Sequence, residues 1–338
     1  MEFPIDILRA TEAAAIAASK WIGAGVDKKE DADRCATIAM RNCLNSYIEF
    51  AGNVVMGEGE KDRSFGIFPG EAVGIKAHLL QGNPSYYKQL YGGRPPKWHD
   101  VAVDPIEGTT QTVISGPEAL STIAVGGKDS MFRTEYFYTN KIVYGQKIRE
   151  KATLSLKYPL EENIKIAASA LGKPPSELMV CVIDRPRHKK IINKLRSLGI
   201  RINLLRDCDI VGGIASCLPT SDIDFLYGIG GSPETVLTAA AIKCLGGGME
   251  SQVYGKDVLG DPHPIFSTEG ESWTPIGDIL NENQLVAGPC VFAATGITNG
   301  AILNGIKHRA GGIQTNSVFM DSSRKVIRWV INHYREQS

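Results

Sequence analysis

No charge of either sign is in excess in this chain: lysine and arginine total 37, aspartate and glutamate 37, and the formal net charge is zero. A broadly basic surface for nucleic acid or anionic membrane is therefore excluded as an organising feature, and any anion must be held by a local cluster. No apolar run approaches the roughly 18 residues that a membrane helix needs. The alanine-rich stretch from Ala10 to Ala18 is short and broken by Thr11 and Glu12, so it reads as neither a span nor a signal peptide. Cysteines lack any CxxC pair or regular spacing, and their number, seven, is odd. Reduced thiols of a cytoplasmic protein are expected, or of a plastid one after removal of a transit peptide, with Cys208 between two aspartates the candidate for redox sensitivity. Aromatic residues are few, at 7%, yet 43% of the 338 residues are hydrophobic, enough for a large core.

What is present is organised around Val101-Ala102-Val103-Asp104-Pro105-Ile106-Glu107-Gly108-Thr109-Thr110. The apolar run predicts a buried strand that ends at Asp104, where Pro105 stops further pairing. Asp104 and Glu107 then converge on one point, and two hard carboxylates suit a divalent cation that keeps room for water and phosphate. Gly108 permits close approach of backbone to ligand, and Thr109 offers a hydroxyl to orient a water. An acidic surface turn is the plainer alternative. Two further acids follow apolar runs in glycine-rich turns, Glu58 in Gly57-Glu58-Gly59-Glu60 and Glu234 after Gly228-Ile229-Gly230-Gly231-Ser232-Pro233.

Helices are expected from Asp6 to Gly23 and from about Glu30 to Asn45, with a longer loop at Gly82–Asp100 that holds three tyrosines and a tryptophan and serves as lid, oligomer contact or plain surface. Strands are expected at Ala119–Gly126 and Phe132–Tyr138. Gly172-Lys173-Pro174-Pro175 reads as the internal boundary, dividing residues 1–172 from 173–338, packed as one compact unit. Beyond it strands and helices alternate through Leu245, which predicts a mostly parallel sheet with ligands at the carboxyl ends of its strands. Arg185 and Arg187 follow one strand and suit phosphate. Asp207 and Asp209 follow the next and suit sugar hydroxyls. Ser232, Pro233 and Glu234 read equally well as the cap and first turn of an ordinary helix.

Taken in order, the strings ADR at 32–34, GEGE at 57–60, DPIEGT at 104–109, RPRH at 185–188, YGIGGSPE at 227–234 and ATGIT at 294–298 resemble the class II fructose-1,6-bisphosphatases, within the lithium-sensitive, metal-dependent phosphomonoesterases. That resemblance implies an α/β sugar-phosphatase fold of alternating helix and sheet layers. It implies hydrolysis of the 1-phosphate of fructose 1,6-bisphosphate, with sedoheptulose 1,7-bisphosphate, alone or in addition, as the rival substrate; an inositol-type monophosphatase and a non-catalytic sugar-phosphate regulator rank below. Two or more Mg2+ or Mn2+ ions are implied on Asp33, Glu58, Asp104, Glu107 and Glu234. From composition alone Asp33 would be a carboxylate complementing a helix N-terminus. Asp104, Glu107 and Thr109 become the catalytic group. Glu107, Gly108, Thr109, Tyr138, Lys141, Arg185, Pro186, Arg187, Asp207, Asp209 and Gly231 become substrate contacts. The partners implied are a sugar bisphosphate and further copies of the chain, as dimer or tetramer. Lys61, Arg63 and Ser64 depart from the family's pattern beside the possible outer acids Glu60 and Asp62.

Overall fold

The computed structural model describes residues 5–57, 65–267 and 270–335. The chain divides into two compact units, one formed by residues up to Arg133 together with those from Ala287 onward, the other by Thr134–Val286. Four strands come first, β1 (Ala51–Met56), β2 (Ala72–Val73), β3 (Trp98–Glu107) and β4 (Leu120–Gly127). The second unit then holds β5 (Tyr138–Tyr144), β6 (Met179–Ile183), β7 (Arg201–Leu205), β8 (Phe225–Gly231), β9 (Gly248–Lys256) and β10 (Trp273–Asn281). The chain returns to the first unit for β11 (Cys290–Gly296), β12 (Lys307–Arg309), β13 (Gly312–Asp321) and β14 (Val326–Arg335).

In the first unit the sheet order is β12-β13-β11-β4-β3-β1-β2, with β14 beside β13. β3 lies inside this sheet, parallel to β1 and antiparallel to β4. Val101, Ala102 and Val103 are shut off from solvent, as expected of a strand covered on both faces. The helix Leu8–Ser19 packs through small side chains: Ala10, Ala14, Ala15 and Ala18 are fully buried in the same core cluster as Ala32, Ala36 and Met40 of the helix Lys29–Tyr47. Glu12, buried on the first helix, accepts hydrogen bonds from Thr315 Oγ1 (2.6 Å), Asn332 Nδ2 (2.8 Å) and Tyr334 Oη (2.6 Å). Those donors satisfy a carboxylate that would otherwise be costly to bury, and they tie the start of the chain to its last two strands.

The second unit's sheet runs β10-β9-β5-β8-β6-β7. It is mixed, not mostly parallel: β6 is parallel to β7 and β8, whereas β5 is antiparallel to both of its neighbours, β8 and β9. The alternation read from the sequence does continue from β8 through the helix Ser232–Leu245 to β9. An earlier strand, β5, occupies the slot between them. The Gly172 signal has another meaning too. Gly172 adopts φ 66°, ψ 31° and stops the helix Leu160–Leu171, inside the unit formed by Thr134–Val286. The 82–100 stretch contains a helix, Pro84–Tyr91, capped by the Asn83 side chain, and the first residues of β3. The strand foreseen at 132–138 begins instead at Tyr138. Among the described residues no helix is long and apolar enough to cross a membrane.

Candidate active site

In the first unit, the end of β3 carries the acids. The strand does not stop at Asp104; it runs on to Glu107, and its ladder with β4 slips, Asp104 facing Thr122 and Glu107 facing Leu120. Pro105 has no N–H to give to that ladder, and the Ile106 N–H turns back to Asp104 Oδ1 at 3.0 Å. The extra residue is thus absorbed as a bulge, which re-aims the side chains at the strand end. Gly108 follows at φ 88°, ψ 47°, a conformation a side chain would strain, and Thr109 opens the short helix Thr109–Val113. Thr109 Oγ1 donates to Asp33 Oδ1 at 2.8 Å. Asp33 comes from the helix Lys29–Tyr47, so an acid that composition reads as dipole complementation is joined to the hydroxyl 76 residues away. Glu58, Glu60 and Asp62 lie outside the described residues.

In the second unit, β8 delivers Gly230 and Gly231 and then the helix Ser232–Leu245. Gly231, not Ser232, is the N-cap; Ser232 is the first helical residue, and its hydroxyl donates to the Tyr136 carbonyl at 2.6 Å. A side chain at Gly231 would put its Cβ 1.9 Å from Glu234 Oε2, and one at Gly230 would put it 1.8 Å from Asp209 Oδ2. Only glycine lets these carboxylates lie against the strand. Lys141 on β5 is wholly buried, and its Nζ donates to Asp209 Oδ2 at 2.6 Å. Asp209 Oδ1 and Glu234 Oε2 are sealed from solvent and find no hydrogen-bond partner among the described residues. Burial, and then repulsion from Asp209, push the Glu234 carboxyl up to about 7. Each unit thus ends a strand on acids: Asp104 and Glu107 on β3 of the first, Glu234 just after β8 of the second. Hard oxygen donors and an unsatisfied buried carboxylate oxygen fit a divalent cation of the Mg2+ kind.

The cations of the second unit differ in what they meet. Arg185 pairs through Nη2 with Asp207 Oδ1 at 3.1 Å, near the surface. Lys141, read from sequence as a phosphate contact, is turned to Asp209. Pro186 opens a tight turn, Pro186–His188, that carries Arg187 inward. Arg187 donates from Nε (3.0 Å) and Nη2 (2.8 Å) to the Ile229 carbonyl, and its guanidinium lies over the rings of Tyr138 and Trp273. Tyr138 is therefore a support for Arg187 in this structure. Trp273 escaped the sequence reading because it sits at the end of a polar, loop-like stretch with no motif around it. Cys208 is buried at the start of the helix Asp209–Ala215.

His188 holds this group from behind. β6 and β8 pair only at Val180–Phe225 and Cys181–Leu226, and beyond that point the imidazole bridges them. Its Nε2 accepts from the Ile229 N–H at 2.8 Å, so Nδ1 carries the proton and donates to the Ile183 carbonyl at 2.7 Å. Burial, and the Arg187 charge beside it, lower its pKa from 6.5 to about 3. The folded protein therefore keeps His188 neutral where the unfolded chain takes up a proton. Its contribution to stability is complete above pH 6.5 and is lost as pH falls toward 3, at up to about 1.4 kcal/mol per pH unit. In urea unfolding between about pH 7 and pH 4, the wild type should lose stability more steeply than His188→Gln. Parallel pH profiles would show that the histidine is not sealed in its neutral form.

Comparison with known proteins follows the same lines. Residues 1–334 match the family described as bacterial fructose-1,6-bisphosphatase, glpX-encoded. The class 2 fructose-1,6-bisphosphatase of Haemophilus influenzae is 36% identical over 340 residues, covering 98% of this chain and 95% of the relative. Fructose-1,6-bisphosphatase 1 class 2 of Escherichia coli K12 is 34% identical over 351 residues, covering 99% and 96%.

Proposed function

This chain belongs to the bacterial class 2 fructose-1,6-bisphosphatase family, and from that membership we propose how its residues release the 1-phosphate of fructose 1,6-bisphosphate to leave fructose 6-phosphate. It is a phosphoric monoester hydrolase of a metal-dependent family. The observation that carries the residue-level reading is the pair of buried carboxylate oxygens, Asp209 Oδ1 and Glu234 Oε2, that no donor satisfies among the described residues. A cation and a sugar hydroxyl are the partners that would satisfy them.

Asp33, Glu58, Asp104, Glu107 and Glu234 are the residues that would hold Mg2+ or Mn2+. Such ions supply charge that stabilises the transferring phosphoryl group and its leaving oxygen. Thr109 Oγ1, donating its hydrogen bond to Asp33 Oδ1, presents a lone pair that accepts a hydrogen bond from the attacking water. As water attacks phosphorus, its proton passes to Thr109 Oγ1 while the threonine proton moves to Asp33 Oδ1. The phosphorus–oxygen bond to C1 breaks, and solvent protonates the sugar oxygen. Lys141 holds Asp209 Oδ2, which leaves Asp209 Oδ1 to accept from a sugar hydroxyl. Arg187 takes the distant phosphate through the edge of the guanidinium not used on Ile229, with Arg185 and Asp207 at the rim.

Phosphate release from fructose 1,6-bisphosphate, sedoheptulose 1,7-bisphosphate and an inositol monophosphate, each with Mg2+, Mn2+ or EDTA, tests this directly. Release from the fructose substrate should need metal, and kcat/KM for the monophosphate should be lower by about a hundredfold or more, since the arginine contact then has no phosphate to meet. EDTA-resistant hydrolysis, or equal turnover of the monophosphate, would overturn the assignment.

A further inference from the structure

We propose that Trp273 is a positioning residue for Arg187 and thereby sets how strongly this enzyme prefers a doubly phosphorylated sugar to a simple phosphate monoester. The inference rests on the reading of Arg187 as the contact for the distant phosphate. Trp273 opens β10 and is only 2% exposed. Its ring meets Tyr138 edge-on, with centroids 4.9 Å apart and planes at 84°. The Arg187 guanidinium lies 5.4 Å from the Tyr138 centroid and 5.5 Å from that of Trp273, within the range in which an aromatic face attracts a cation. Its Nε and Nη2 are tied to one carbonyl, that of Ile229. Two ring faces and a carbonyl together fix the plane of the guanidinium.

The way this charge is held differs from its neighbours. Lys141 and Arg185 are each matched by a carboxylate, at 2.6 Å and 3.1 Å. Arg187 has no carboxylate partner and no hydrogen bond from Nη1 among the described residues. Ring faces hold a cation in place without cancelling its charge, so the full attraction is kept for an incoming phosphate dianion. Trp273 is itself anchored: Nε1 donates to Glu271 Oε2 at 3.4 Å, and Glu271 pairs with Lys256 at 2.7 Å. Without the indole face, the guanidinium can swing about its carbonyl anchor. The binding of a phosphate far from the reacting bond then weakens, while the step at that bond does not.

Steady-state kinetics with Mg2+, on fructose 1,6-bisphosphate and on p-nitrophenyl phosphate, separate the possibilities. Trp273→Leu should raise KM for the bisphosphate by about three- to thirtyfold, with kcat and the KM for the aryl phosphate changed by less than about twofold. Trp273→Phe should recover most of the loss, and Arg187→Ala/Trp273→Leu should be no worse than Arg187→Ala. Thermal unfolding of each variant establishes that it is folded at the assay temperature. If the leucine variant does not fold, Trp273→Phe decides alone, with a rise of about two- to fivefold expected for the bisphosphate only. An unchanged KM, or an equal rise for both substrates, overturns the role of Trp273. Should Arg187→Ala itself leave the bisphosphate KM unaltered, the reading of Arg187 fails, and the inference with it; a loss in Arg187→Ala without one in Trp273→Leu removes the inference alone.

Discussion

Glu107→Gln is expected to abolish metal-dependent phosphate release, lowering kcat by at least about a thousandfold, with thermal unfolding little changed. Glu107 is the last residue of β3 and is 6% exposed, so its carboxylate is presented from a rigid strand end and not from a mobile loop. Glutamine fills the same volume and keeps one oxygen, which protects the packing. It replaces the other oxygen by an amide N–H2 and removes the full negative charge that a divalent cation would need from its proposed ligand. Between Asp104 and Glu107 the bulge holds only a proline and a buried isoleucine, neither of which offers a carboxylate. Phosphate release at saturating Mg2+ is the measurement, with unfolding curves alongside. Near-normal turnover in a folded variant would exclude Glu107 from the machinery.

Lys141→Met should destabilise the protein by about 3–5 kcal/mol, which is the usual cost of leaving one member of a buried ion pair alone. Lys141 is fully buried and Asp209 is 4% exposed, so solvent cannot replace the lost ammonium. Asp209 also faces Glu234, whose carboxyl already suffers from its charge. The double variant Lys141→Met/Asp209→Asn should regain most of the stability, since no uncompensated charge remains. Urea midpoints of the metal-free wild type and the variants at neutral pH decide it. A loss below about 1 kcal/mol in Lys141→Met would place the pair in the class of solvent-screened surface bridges. A lysine that touched only substrate would show the opposite pattern: an unchanged midpoint and a raised KM.

Much of the local framework of the candidate site was legible in the sequence, and for a local reason. Strand ends, glycine turns and the acids between them are adjacent in the chain, so DPIEGT and YGIGGSPE could be placed at the ends of β3 and β8 from apolar runs and breakers alone. Gly231 belongs to the same local logic, since the carboxylate it accommodates, Glu234, lies three residues on, whereas Gly230 makes room for Asp209 of another helix. Asp33 was less legible. Its bond to Thr109 joins a helix face to a strand end across 76 residues, and no periodicity records such a meeting.

The sequence by itself determined where this protein's chain turns, which faces are apolar, and that hard oxygen donors and arginines follow its strands, because each of these is set by residues a few positions apart. Only the tertiary structure decided that β5 lies between β8 and β9, that the last four strands rejoin the first unit, that Lys141 answers Asp209, and that Arg187 rests on Tyr138 and Trp273. Those choices depend on which distant surfaces bury each other and which charges are then left to be matched, and a pattern of hydrophobicity along one strand or helix is compatible with many such pairings.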